Sequence, residues 1–161
     1  MKKKISGIQS GVSGEYFVAA ELSRRGYLCS ITLKNTKGID ILVSNETSSK
    51  LVGIQVKTNN SKRKAWLLNK KAEKIAEDNL VYVFVNLKEL NELPDFHVVP
   101  SKIVAQQVKE GHAQWLRTPG KKGQKHKDTS MRMFVDSKDK FKNSWNILEE
   151  LLSEQAISRP T

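Results

Sequence analysis

Apolar residues along this chain alternate between a helical and a strand spacing, and the switches mark the elements. Val12, Ala19 and Leu22 fall on one helical stripe, which predicts a helix over 10–26 with Ser10 or Ser13 as cap and Gly26 as stop. The spacing then shortens. YLCSITL at 27–33, IDILVS at 39–44 and LVGIQVKT at 51–58 read as strands separated by the turn-formers NTKG and NETSSK. The second and third are joined by a tight polar link, so an antiparallel hairpin is expected. AWLLN at 65–69 predicts a short strand or the start of a helix over KKAEKIAEDN. The continuous run LVYVFVNL at 80–87 suits a central strand covered on both faces. FHVVP at 96–100 predicts another strand, and PSKIVAQQVKEGHAQWL a helix with Pro100 in its first turn. Residues 117–132, rich in Gly and Lys, read as a loop. KDKFKNSWNILEELLS predicts a last helix with Phe141, Trp145, Leu148 and Leu151 or Leu152 on its core face. There is no repeat and no linker. The order α-β-β-β-α-β-β-α predicts an α/β domain over 1–161 with a mixed sheet flanked by helices on both faces.

The third strand breaks its own pattern. Ile54 and Val56 point one way; Gln55 and Lys57 point the other, beside Gly53. Their Cα atoms are about 6.6 Å apart on one face at ~3.3 Å per residue. If the hairpin turns near Thr47 and Ser48, Asp40 comes opposite Gln55. A carboxylate, an amide oxygen and an ammonium then converge, the set that metal-dependent phosphodiester hydrolysis uses. A hard cation such as Mg2+ takes oxygen ligands and keeps several waters. Asp40 supplies the anionic ligand, Gln55 a neutral one and the Val56 backbone carbonyl a third. Lys57 positions the attacking water and offsets phosphate charge. Glu15 falls on the apolar stripe of the first helix, where a carboxylate needs a partner or a metal. Glu21, off that stripe and four residues before Arg25, reads as a surface pair.

Charge points to the partner. Lys and Arg number 28 against 17 acidic residues, a formal net charge of +11, which favours a polyanionic partner, through counterion release at phosphates or through attraction to acidic lipid. Two segments concentrate it: Lys62, Arg63 and Lys64 after the third strand, and Lys121, Lys122, Lys125 and Lys127 in the Gly-rich loop with Arg117 nearby. A solvated loop is the competing reading. The single cysteine, Cys29, excludes an internal disulfide, reads as a packing residue and fits a reducing compartment. A basic start without an apolar core is no signal peptide, and the longest apolar run, 80–85, is too short to span a bilayer. A cytoplasmic protein with no membrane partner is expected. His97 reads as a strand residue, His112 and His126 lack the spacing of a zinc site, and Trp66, Trp115 and Trp145 read as core, with Trp66 close to the basic NNSKRK.

SGEYFVAAELSRRGY, GIDILV and VGIQVKT together resemble the PD-(D/E)XK nuclease superfamily. The helix glutamate and its spacing to the glycine resemble archaeal Holliday-junction resolvases, and Gln-x-Lys resembles the third motif of Mrr-type restriction enzymes. The resemblance covers about residues 7–60 and implies a restriction-endonuclease-like fold with a C-terminal extension, 95–155, packed on the core. It makes Asp40 the metal-bridging carboxylate, Lys57 the catalytic lysine and Glu15 the helix glutamate. Gln55 takes the slot usually held by an acid. It implies an endonuclease acting on DNA in restriction, repair or recombination with Mg2+ or Mn2+, and, from the resolvases, a homodimer. Ile39 stands where the motif name has proline. Gln55 removes one negative charge, which weakens metal affinity, so an inactive nucleic-acid-binding module of the same fold is the alternative. A structural protein whose charge aids solubility is a third, which lacks salt-dependent DNA binding.

Overall fold

A computed structural model describes residues 5–33 and 38–153. The elements run α1 (Gly7–Arg24), β1 (Leu28–Ile31), β2 (Ile41–Ser44), β3 (Leu51–Asn59), β4 (Ala65–Asn69), a 3-10 turn (Lys70–Lys74), β5 (Leu80–Asn86), β6 (Asp95–Pro100), α2 (Ser101–Arg117), β7 (Met131–Val135) and α3 (Asn146–Leu152). Five strands form a sheet in the order β1-β2-β3-β5-β6, and β4 and β7 form a separate two-stranded ribbon. β2 and β3 make the expected antiparallel hairpin, with Ile41 opposite Ile54. β3 and β5 are parallel, with Gln55 beside Tyr82 and Lys57 beside Phe84; all other pairs are antiparallel.

α1 begins earlier than its apolar stripe suggests. Ser6 caps it: the Gln9 N–H donates to Ser6 Oγ at 3.2 Å while the Ser6 N–H donates to Gln9 Oε1 at 2.9 Å. Ser10 and Ser13, the expected caps, instead donate back to the carbonyls of Ser6 and Gln9. The helix ends at Arg25, and Gly26 takes the left-handed conformation, φ 84°, that lets the chain turn into β1.

The sheet has a core on each face. On one, Val18 and Leu22 of α1 and Trp145, Leu148 and Leu152 cover Ile54, Val56, Val83 and Val85. On the other, Tyr82, Phe84 and Val99 are covered by Val104 and Val108 of α2 and by Trp66 and Phe134 of the ribbon, with Phe84 and Phe134 stacked at 4.3 Å. Every residue of β5 is buried, as its unbroken apolar run requires.

Four expectations change. The helix over 70–79 reduces to one 3-10 turn, because Asn69 caps it and Ile75 is already extended. Residues 131 and 132, expected at the end of the Gly- and Lys-rich loop, instead open β7, which runs to Val135. Arg132 and Phe134 face inward there, and the buried Arg132 guanidinium is paired with Glu73. The last helix starts only at Asn146, so Phe141 joins the second core while Trp145 and Leu148 join the first. Trp115 is not core: it stands exposed at the end of α2, stacked on His126 at 4.0 Å and on His112 at 5.3 Å. Trp66 is core, and its Nε1 donates to the Val85 carbonyl at 2.9 Å.

Candidate active site

β3 positions the site. Gln55 and Lys57 project from the face that carries Gly53 and lies beside Tyr82 and Phe84. Both are half-buried, so this is not a fully solvated sheet face. Gly53 is needed there because the Ile39 side chain lies over it: a Cβ would come within 3.2 Å of Ile39 Cδ1. Ile39, in the place of the motif proline, is the packing lid of that glycine.

Asp40 is held at three points where β2 begins. Its carbonyl accepts the Thr32 N–H at 2.9 Å, and its own N–H donates to the Ile54 carbonyl at 2.8 Å. Its carboxylate Oδ2 accepts the Val56 N–H at 2.7 Å. The aspartate therefore bonds β3 on both sides of Gln55. A strand residue turns its N–H and C=O towards the same neighbour, so the Val56 carbonyl faces the Asp40 side as well. The Gln55 amide extends towards the same corner, where an added Cβ on Gly38 would lie 4.0 Å from Gln55 Nε2.

This donor set suits a hard divalent cation. Mg2+ is commonly held by one or two carboxylates with substrate phosphates and water completing the shell, and the Asp40 carboxylate, the Gln55 amide and the Val56 carbonyl are the donors this corner offers. Among the described residues no three His, Cys, Asp or Glu side chains come together, so a zinc-type cage is not on offer.

Glu15 lies elsewhere than the stripe reading expects. The row of α1 that buries against the sheet is Ser10, Gly14, Val18 and Leu22. Val12, Glu15 and Ala19 flank it, half-buried. Gly14 meets Thr58 so closely that a Cβ would lie 1.9 Å from Thr58 Oγ1. Thr58 shares the face of Ile54 and Val56, so α1, and Glu15 with it, stands on the opposite side of β3 from Gln55 and Lys57. Glu21 pairs with Arg25 at 2.9 Å as the surface pair expected.

Over 91% of this chain and 94% of the other, the structure resembles that of a bacterial homing endonuclease, I-Ssp6803I, with a TM-score of 0.55 and 13% identity. What the two share is a fold, a mixed α/β sheet flanked by helices of the restriction-endonuclease-like kind. A Holliday junction resolvase, Hjc of Archaeoglobus fulgidus, matches over 79% of this chain and 84% of its own with a TM-score of 0.44 and 16% identity. No family model and no curated protein matches the sequence.

Around this corner the structure adds residues that the motifs do not name. Tyr82 is buried beside Gln55; burial first, and then the Asp40 carboxylate, push its hydroxyl up to about 12. It stays protonated at neutral pH. Lys57 opens into a cleft of about 340 Å³ whose walls include Arg63, Leu67 and Met133. A bulky aromatic in an apolar run and an alternating MRMFV give no chemical signal in sequence, so neither Tyr82 nor Met133 stands out there.

The basic segments differ in freedom. Lys62 and Arg63 are exposed, whereas Lys64 is paired with Asp139. Lys121, Lys122, Lys125 and Lys127 are all exposed. Their loop is anchored at several points: the Gly120 N–H donates to the Gln124 carbonyl at 2.9 Å, and His126 stacks on Trp115. Asp128 closes it, bonded to His112 at 2.8 Å and Lys70 at 3.0 Å. These bonds, Lys70 foremost, hold the Asp128 carboxyl down at about 2. No helix among the described residues is long and apolar enough to cross a membrane.

Proposed function

We propose that this chain is an endonuclease that hydrolyses phosphodiester bonds of DNA in a Mg2+- or Mn2+-dependent reaction. One observation carries the reading: Asp40 bonds β3 on both sides of Gln55, on a strand whose next outward residue on that face is Lys57. Asp40, the Gln55 amide oxygen and the Val56 carbonyl would hold the cation, and Glu15, across β3 from Gln55, is left out of that shell. The cation, when bound, would polarise the phosphate and lower the pKa of a water. Lys57 orients that water and offsets charge developing on the phosphoryl oxygens. Tyr82, protonated, offers a neutral hydroxyl beside Gln55. Lys62, Arg63 and the lysines at 121, 122, 125 and 127 hold substrate backbone. We take 1–161 as one domain working in the cytoplasm, and a homodimer rests on the resolvase resemblance alone.

The second reading, a DNA-binding module without activity, is favoured by one feature: Gln55 leaves the site an anionic ligand short. The test is incubation with linear, nicked, flapped and four-way DNA in Mg2+, in Mn2+ and in EDTA. Cleavage that EDTA abolishes supports the nuclease. Salt-dependent binding with no cleavage in either metal supports the module, and neither binding nor cleavage removes both.

A further inference from the structure

The β4–β7 ribbon turns an apolar face to solvent. Trp66, Leu68, Arg132 and Phe134 point inward, which leaves Leu67, Met131, Met133 and Val135 outward at 61, 58, 47 and 42% exposure. Leu67 and Met133 are direct cross-strand partners. Other large apolar side chains, Ile8, Leu90 and Leu93 among them, are exposed as well; this ridge is set apart by gathering four of them on one face of one ribbon.

Its position says what covers it. Leu67 and Met133 form a wall of the cleft into which Lys57 opens, with Arg63 in the same cleft. The ribbon is about 14 Å long at ~3.4 Å per residue. Cations bracket both ends: Lys62 and Arg63 precede Ala65, Lys71 follows Asn69 and the Asp128-paired Lys70, and the lysine loop ending at Lys127 leads into Met131. A two-stranded ribbon fits a DNA groove about 12 Å wide. Bracketing cations can meet the phosphates on either side of it. The four apolar residues carry no hydrogen-bonding group, and Asn69, which shares their face, has its side-chain oxygen engaged by the Lys71 N–H at 3.1 Å; the ridge suits packing against exposed base faces, as apolar wedges do at opened steps.

We infer that the outer face of the ribbon is an apolar wedge that packs against an opened base step of DNA beside the scissile phosphate. The substrate class is then DNA with a step that is open or easily opened (a bulge, mismatch or branch) rather than uniform duplex. This rests on the nuclease reading for the position of the phosphate at Lys57.

The test is metal-free binding of the full chain to two duplexes that carry 2-aminopurine at the centre, one fully paired and one with a single-nucleotide bulge. The wild type is expected to bind the bulged duplex at least about 5-fold tighter and to brighten the 2-aminopurine. Leu67→Ser with Met133→Ser is expected to reduce the preference to under about 2-fold and to abolish the brightening. Its salt slope should stay unchanged, because the phosphate-binding cations are untouched. Leu67→Met with Met133→Leu, of equal size, should retain the preference and so guards against a folding failure. The inference is overturned if the wild type shows no preference, or if the serine variant keeps it. It is also overturned if sedimentation shows a wild-type dimer that the serine variant dissolves, since the ridge would then be a subunit interface. Bulge preference that disappears in the serine variant, with no cleavage in any metal, would remove the nuclease reading and leave the wedge.

Discussion

The carboxylate of Asp40 accepts the backbone N–H of Val56 at 2.7 Å, across a sequence separation of 16. One oxygen thus serves the sheet, and in the proposed site the carboxylate charge would serve a cation. The two roles separate by substitution. Asp40→Asn keeps an acceptor for the Val56 N–H and removes the charge; Asp40→Ala removes both. Hydrogen bonds to charged groups contribute about 1.5–3 kcal/mol. Asp40→Ala is expected to lose on the order of 1–2 kcal/mol in urea unfolding and Asp40→Asn under about half of that. Both should lower Mn2+ affinity by at least about 10-fold in calorimetry. Equal stability losses in the two variants would mean that the hydrogen bond does not hold the strand.

Gln55→Glu adds a charge where the resembled family has one. Divalent-metal affinity is expected to rise and any cleavage to be retained or increased. Calorimetry with Mg2+ and Mn2+ reads it directly, and an unchanged affinity means that Gln55 is not a ligand.

Gly14→Ala sets two effects against each other. Alanine gains about 1 kcal/mol in helix propensity. Its Cβ would lie 1.9 Å from Thr58 Oγ1 and 3.0 Å from Thr58 Cβ, so helix or strand must move. Overpacking of this kind costs about 1–3 kcal/mol. A net loss near 1 kcal/mol is expected, partly restored by adding Thr58→Ala. A melting temperature that rises in the single variant would mean that α1 does not press on β3 there.

Tyr82 gives a signature in alkali. Its folded pKa is raised from 10 to about 12, so the unfolded state releases the proton first. Its contribution is complete below pH 10 and disappears as the pH climbs through about 12. The loss in that window is on the order of 2 kcal/mol from about 1.36 kcal/mol per unit. Tyr82→Phe should flatten the fall in stability between pH 10 and 12. A profile identical to the wild type would mean that the hydroxyl is free to ionise in the folded state.

The role proposed for the lysine loop is to hold substrate backbone and to do no chemistry. Replacing Lys121, Lys122, Lys125 and Lys127 with Ala should flatten the dependence of log K on log salt by about 0.9 for each phosphate that is no longer neutralised. It should weaken all sequences alike and spare metal binding, because Asp40 and Gln55 lie on the hairpin. An unchanged slope makes the loop solvated surface and assigns phosphate binding to Lys62 and Arg63.

How much of the molecule is legible in its sequence depends on which residues carry a chemical mark. The hairpin from Asp40 to Lys57 is legible, because two polar residues at strand spacing on an otherwise apolar strand demand a reason. β5 is legible because a run of seven buried residues has one simple use. β7 is not: MRMFV hides a buried arginine whose partner, Glu73, is remote in sequence. The helix expected over 70–79 fails because propensity there yields to the Asn69 cap and to the fold beyond it. The buried row of α1 lies one step from the apolar stripe, since Ser10 and Gly14 pack closely without being apolar.

The central claim is that Lys57, beside the Asp40–Gln55 corner, supports hydrolysis rather than binding alone. The most direct measurement compares wild type and Lys57→Ala on four-way and flapped DNA with Mn2+ or Mg2+, with metal-free affinity read on the same samples. The wild type should cleave; Lys57→Ala should cleave at least about 100-fold more slowly, the scale of a positioned proton-transfer group, and bind DNA within about 3-fold of the wild type. Equal cleavage by both proteins would contradict the claim, and so would a wild type that binds without cutting in either metal.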